Sequence, residues 1–212
     1  MKRARILIAD DHKMFSQGLA GLLEEEFDLV GIVENGEALI EETKRLNPDL
    51  ILVDISMPVL NGLDAVGRLI QRDATAKVVF LTMHTDARLL NAAFRCGGMG
   101  YVLKQSAGEE LLFALRQVLA GHKYVSPVLE SEGQPESVPV DSTERQHFSL
   151  TPRQREVLQL LSEGCTMKEI ASRLNISART AESHKYEMME ALKVGSTAEL
   201  IQYAIKLGLI ST

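Results

Sequence analysis

Between Arg5 and Gly121 the chain alternates two hydrophobic patterns. Short apolar runs, "RILIAD", "LVGIVE", "LILVD", "KVVFLT" and "GYVLK", read as strands, and the unbroken run Leu50 to Val53 as one covered on both faces. Between them, apolar residues at helical spacing mark helices near 13–25, 36–46, 62–71 and 86–96, and a fifth follows the last strand near 107–120. Such alternation predicts a parallel sheet with helices on both faces. Five strands in a doubly wound α/β fold commonly take the order 2-1-3-4-5.

Residues 126–148 lose all period and hold three prolines and one glycine among Ser and Glu, which is linker chemistry. Beyond them the pattern is purely helical and the helices are marked by their caps. Thr151, Pro152 and Gln154 occupy N-cap, first and third positions, and Thr166 with Glu169 and Ser196 with Glu199 repeat the capping-box spacing. Helices are therefore expected at 152–162, 167–174, 178–193 and 197–207, with Gly164 and Gly208 ending the first and last. The middle two, joined by Asn175, Ile176 and Ser177, form a helix-turn-helix pattern. The expected organisation is an α/β domain over 3–121, a linker over 122–146 and a four-helix domain over 147–212.

A length of 212 residues suits two domains with real cores, and 45% hydrophobic with 25% charged residues is the balance of a soluble globular chain. The apolar run Ile6–Ala9 is cut by Asp10 and Asp11, too early for a signal peptide, and no stretch reaches membrane-spanning length. A cytoplasmic protein without membrane contact is expected. Cys96 and Cys165 fall in different domains, away from any metal or redox motif. Bases against acids number 14 to 17 over residues 1–125, 1 to 5 over 126–148 and 8 to 7 over 149–212. The acidic excess thus sits outside the helical domain.

The chemistry gathers at strand ends. In a doubly wound sheet, ligands bind at the carboxyl ends of strands where the order reverses, here between the first and third. The first strand ends in Asp10 and Asp11, the third in Asp54, the fourth in Thr82 and the fifth in Lys104. Singly, each has an ordinary explanation, such as an aspartate capping the next helix. Together they form a site. Two carboxylates about 4 Å apart repel by roughly 4 kcal/mol at an effective dielectric near 20. A compensating cation is required, and magnesium, which prefers oxygen ligands and an open position for phosphate, suits it.

The motifs "ADD" (9–11), "VDISMP" (53–58), "LTMH" (81–84) and "YVLK" (101–104) resemble those of two-component receiver domains. That resemblance implies that Asp54 accepts a phosphoryl group from a sensor histidine kinase. It implies that Asp10, Asp11 and Asp54, with the backbone carbonyl of Ser56, hold Mg2+, and that Thr82 and Lys104 bind the phosphoryl oxygens. Thr82 and Tyr101 would form the switch, the tyrosine ring turning inward on phosphorylation. Gln105 stands where many receivers have proline, and Met83 where a small residue is frequent. Ser56 and His84 flank the pocket, where His84 would tune water access.

Residues 150–194, continuing through "AELIQYAIKLGLI", resemble the LuxR-type DNA-binding domain of NarL/FixJ response regulators. Helical spacing turns Ala181, His184, Met188 and Leu192 inward. The opposite face carries Arg179, Glu182, Ser183, Lys185, Tyr186 and Lys193 and would face the major groove of double-stranded DNA. Arg179, Lys185 and Lys193, with the hydroxyls of Ser177 and Thr180, can position the helix on phosphates. Glu182 and Ser183 sit where the family reads bases, and a glutamate there can accept from a cytosine amino group. Glu182 also has a plainer reading, as a stabiliser of the helix N-terminus. The last helix is the usual dimer contact in the family, so a homodimer on paired half-sites is expected when phosphorylated.

These readings converge on a phosphorylation-controlled transcription factor, not an enzyme beyond its own phosphorylation and dephosphorylation. An aspartate-nucleophile phosphohydrolase needs a second acid two residues after the nucleophile, where this chain has Ser56. A protein-binding adaptor, its helix-turn-helix no longer reading DNA, is the remaining alternative.

Overall fold

The computed structural model describes residues 3–71, 76–106, 108–131 and 150–206. Contacts divide the chain into two units, residues 1–134 and 135–212. In the first unit, β1 (Arg5–Ala9), β2 (Asp28–Val33), β3 (Leu50–Val53), β4 (Lys77–Thr82) and β5 (Gly100–Leu103) alternate with α1 (Lys13–Leu23), α2 (Gly36–Leu46), α3 (Gly62–Gln71), α4 (Ala87–Arg95) and α5 (Glu109–Leu119). All described pairings are parallel, and the strand order is the expected 2-1-3-4-5 extended by a sixth strand beside β5. That strand, β6 (Tyr124–Val125), and the short α6 (Pro127–Ser131) come from residues whose composition suggested linker.

Strand periodicity sorts the core into two layers. Leu7, Ile51, Val53, Val78 and Phe80 point to one face and pack with Leu39, Leu69 and Ala93 from α2, α3 and α4. Their neighbours Ile6, Ile8, Leu50, Leu52 and Val79 point to the other and pack with Leu19 and Leu23 of α1 and Leu111, Leu115 and Val118 of α5. Burial on both faces explains why these strands read as continuous apolar runs. It also fixes the register: Ala9 lies beside Val53, Val53 beside Phe80 and Thr82 beside Leu103. The residues that follow therefore emerge together at one rim. The Asp54 amide donates to the Ala9 carbonyl at 2.8 Å, and the Asp10 amide to the Val33 carbonyl at 2.9 Å.

The loop from Asp54 to α3 is tightly drawn. Val59 has φ 66°, and the Leu60 amide donates to the Pro58 carbonyl at 2.7 Å across it. A β-branched residue in left-handed backbone is strained, and such strain is held by its surroundings. The Gly62 amide ties back to the Ile55 carbonyl at 2.8 Å. A Cβ on Gly62 would lie 2.0 Å from the Asp54 carbonyl oxygen, so nothing larger than hydrogen fits.

The second unit holds α7 (Pro152–Ser162), α8 (Met167–Arg173), α9 (Ala178–Leu192) and α10 (Thr197–Lys206). Thr151 with Gln154 and Thr166 with Glu169 form reciprocal capping boxes. The third cap departs from that pattern: Ser196 accepts from the Glu199 amide, but the Glu199 carboxylate takes the Gly195 amide at 2.7 Å. Asn175 and Lys193, at φ 51° and 54°, end α8 and α9 in left-handed backbone, and Gly164 at φ 82° does so after α7. Gly208 lies outside the described residues. Val157, Leu161, Ile170, Ala181, Met188 and Leu200 form the core of this unit.

Gly62→Ala is expected to lower the urea unfolding free energy by about 2–3 kcal/mol, an overpacking cost against rigid backbone. A loss below about 0.5 kcal/mol, the range of ordinary surface changes, would show that the loop is not locked onto Asp54.

Candidate functional site

The rim formed by β1, β3, β4 and β5 brings the five strand-end residues together. Asp10 and Asp54 are almost fully buried, as are Thr82 and Lys104, while Asp11 is half-buried. Lys104 lies between the two buried acids, its Nζ 2.7 Å from Asp10 Oδ2 and 2.6 Å from Asp54 Oδ2. The Ser56 amide donates to Asp54 Oδ1 at 3.3 Å. Burial pushes the Asp54 carboxyl up from its ordinary 3.8 to about 6; Lys104 pulls the other way and Asp10 adds to the rise. Burial also opposes the Lys104 charge, but Asp54 and Asp10 outweigh it and its pKa is raised.

Two further residues enter the site. His12 places Nδ1 3.0 Å from Asp11 Oδ1, 3.2 Å from Asp10 Oδ1 and 4.0 Å from Asp54 Oδ2. The Phe15 ring centroid lies 4.9 Å from Lys104 Nζ, in cation–π range. Position next to the acid pair was the sole sequence signal for His12. Phe15 looked like any apolar residue of α1.

Ligand atoms of Asp10, Asp11, His12 and Asp54 all lie within 4.8 Å of one another. Asp10 Oδ2 faces Lys104 Nζ at 2.7 Å, and Asp11 Oδ1 lies 3.0 Å from His12 Nδ1. An oxygen-rich donor set with unfilled acceptor capacity fits a hard divalent cation.

A separate set of hydrogen bonds links Ser56, Thr82 and Tyr101 through His84. Ser56 Oγ lies 3.0 Å from His84 Nε2, Thr82 Oγ1 accepts the His84 amide at 3.2 Å, and the Tyr101 hydroxyl donates to the His84 carbonyl at 2.9 Å. Thr82 keeps its own proton to donate. The Tyr101 ring is turned inside and fully buried. Burial raises the tyrosine pKa and lowers that of His84, the latter against the pull of Asp86.

In the second unit, α9 exposes Arg179, Thr180, Glu182, Ser183 and Tyr186, with exposed Ser177 and Lys193 at its two ends. Ser177 Oγ is engaged as the cap, accepting the Thr180 amide at 3.0 Å and meeting Thr180 Oγ1 at 2.8 Å. Lys185 is half-buried, with Nζ 3.9 Å from Glu182 and 4.8 Å from the Tyr186 ring. Ala181, Met188 and Leu192 are buried as expected. His184 is half-buried but Nδ1 has no hydrogen bond among the described residues, with Glu187 3.6 Å away.

The chain matches the response regulator receiver domain over residues 6–116 and the bacterial regulatory proteins of the luxR family over 148–204. It is 32% identical to the transcriptional regulatory protein DegU of Brevibacillus brevis, over 97% of this chain and 94% of that one. With the nitrate/nitrite response regulator protein NarL of Escherichia coli it shares 36% identity, over 92% of each. A solved structure of the RcsB response regulator of Salmonella typhimurium superposes with TM-score 0.69 at 30% identity, covering 98% of this chain and 99% of that one. An RcsB–DNA complex gives 0.67 at 29% identity, over 95% and 98%. The chain belongs to the NarL/FixJ family of two-component response regulators. As in that family, a receiver precedes a LuxR-type helix-turn-helix domain. No described helix of this response regulator is long and apolar enough to cross a membrane.

The raised Asp54 value has a consequence for this response regulator without metal. Because it lies above 3.8, folding favours the neutral acid: the stability so gained is full below pH 3.8 and is lost as pH rises through about 6. With chelator present at about pH 7.5, Asp54→Asn should unfold at higher urea, by about 2 kcal/mol, and the advantage should vanish near pH 4. An Asn variant no more stable than wild type at neutral pH would contradict the burial argument.

Proposed function

We propose that this response regulator is switched by phosphorylation of Asp54 from a sensor histidine kinase and then binds double-stranded DNA as a homodimer. The observation that carries the reading is the buried Asp54 carboxylate held 2.6 Å from Lys104 and backed by Asp10. In the transfer, an Asp54 carboxylate oxygen forms a bond to phosphorus while the P–N bond to the kinase histidine breaks, the nitrogen keeping the electron pair. Lys104 lies where it can neutralise charge on the incoming group, and the Thr82 O–H can donate to one of its oxygens. Mg2+ held by Asp10, Asp11, Asp54 and the Ser56 carbonyl, with His12 at its edge, would supply further charge neutralisation and in-line orientation. The chain's catalysis is confined to this reaction and to hydrolysis of the aspartyl phosphate, in which water attacks phosphorus and the Asp54 carboxylate leaves. Membership of a two-component response regulator family supports a cytoplasmic site of action.

Phosphorylation biases the chain only through contacts that differ between its two states. Thr82 and Tyr101 both meet the backbone of His84, so a Thr82 hydroxyl drawn toward the phosphoryl group would move the segment that Tyr101 holds. In DNA binding, Arg179 and Lys193 position α9, with Lys185, Ser177 and Thr180 available after exchanging their internal partners. Glu182 and Ser183 read bases, and Tyr186 flanks them. Half-exposed Ile205 on α10 suits a second copy as the dimer contact. One observation favours the adaptor reading: α9 carries two bases, Arg179 and Lys185, against Glu182, Glu187 and Glu190. Paired contacts in a dimer offset that deficit.

Selection from random duplexes by wild type and Asp54→Asn, with and without acetyl phosphate, separates these readings. Phosphorylated wild type should enrich a two-part site about one helical turn between half-site centres, and the Asn variant should ignore the phosphodonor. No enriched sequence, and binding indifferent to salt, would favour the adaptor.

A further inference from the structure

Ser126, between β6 and α6, is fully buried and bonds to both β5 and α5. Its amide donates to the Tyr101 carbonyl at 2.9 Å. Its Oγ accepts the Leu103 amide at 3.1 Å and donates to the Glu110 carboxylate on α5. Backbone pairing between β5 and β6 ends at Tyr101 and Val125, so the side chain of Ser126 takes over where the ladder stops. Leu103 is itself buried, and a buried amide must find an acceptor.

The residue after Leu103 is Lys104, where the chain turns into a 3-10 helix over Lys104–Ser106. The end of β5 is thus held by β4 on one side and by Ser126 on the other. A satisfied buried polar group is a position-setting device, because any shift of its partners breaks more than one bond. Here the bonds run to α5, to β5 at Tyr101 and to β5 one residue before the ammonium. None of them touches the carboxylates at the opposite side of the pocket.

We propose that Ser126 is a positioning residue for phosphoryl transfer: through the Leu103 amide it fixes the strand end from which Lys104 reaches Asp54. This rests on Asp54 being the phosphoryl acceptor. On that reading Lys104 contacts the phosphoryl group, while Asp10, Asp11 and Asp54 hold the cation from the ends of β1 and β3, strands that the Ser126 side chain does not bond. Loosening the end of β5 impairs transfer and spares cation binding.

The test uses the full chain with acetyl phosphate as donor, measuring the rate constant of Asp54 phosphorylation at saturating Mg2+ and the Mg2+ affinity by calorimetry. Ser126→Ala should slow phosphorylation about tenfold, with Mg2+ affinity kept within about twofold. Ser126→Cys, which retains a weak acceptor, should fall between wild type and Ser126→Ala. An unchanged rate overturns the proposal, and so does a rate loss matched by an equal loss of Mg2+ affinity. Should Ser126→Ala fail to fold, Ser126→Cys is judged by the same split. If wild type takes no label on Asp54 while binding Mg2+, the acceptor assignment itself falls, and this inference with it.

Discussion

One buried ammonium shared between two buried carboxylates is the constraint around which the receiver is built. Lys104 reaches Asp10 and Asp54 from a different strand, and the three groups are nearly sealed from water. Desolvating such a set costs more than an exposed pair ever would, and a buried ion pair is a poor source of stability. Two acids against one base, with Asp11 nearby, leave negative charge in excess. That excess is a standing demand for a cation. The parallel sheet makes the arrangement tolerable, since each charged side chain springs from a strand locked on both faces by apolar packing. Chemistry and rigidity therefore come from the same register of β1, β3 and β5.

Much of this was legible in the sequence because a doubly wound sheet sends every strand's carboxyl end to the same rim. Asp10, Asp54, Thr82 and Lys104 needed only that rule to be placed together. Helix starts were equally readable, since Thr151 with Gln154 and Thr166 with Glu169 carry their hydrogen-bond logic in local spacing. β6 was not readable: two residues are too few to show a period, and the prolines around them look like linker. Ser126 was hidden for the same reason, its partners lying at positions 101, 103 and 110. Tyr101 marks another limit. A strand covered on both faces gives no alternation from which to read where a ring points, and its inward position depends on the His84 carbonyl. Glu199 capping Gly195 instead of Ser196 shows that motif spacing names the partners only to within a residue.

The second unit follows a different economy of design. Its small core is built from Val157, Ile170, Ala181, Met188 and Leu200, and the outward face of α9 takes no part in it. That face is short of cations, and Lys185 is already occupied by Glu182 and Tyr186. Affinity of a single copy for a polyanion would accordingly be low. A regulator that paired two such faces would gain sensitivity from that weakness, because anything that promoted pairing would raise occupancy steeply.

If Asp54 is the nucleophile, its reactivity depends on the cation its neighbours attract. Peptide mass mapping after incubation with acetyl phosphate tests it most directly, run with Mg2+ and again with chelator. One phosphoryl group per chain is expected, carried by Asp54, formed with Mg2+ and absent with chelator. A group found on another residue, or full labelling in the presence of chelator, would contradict it.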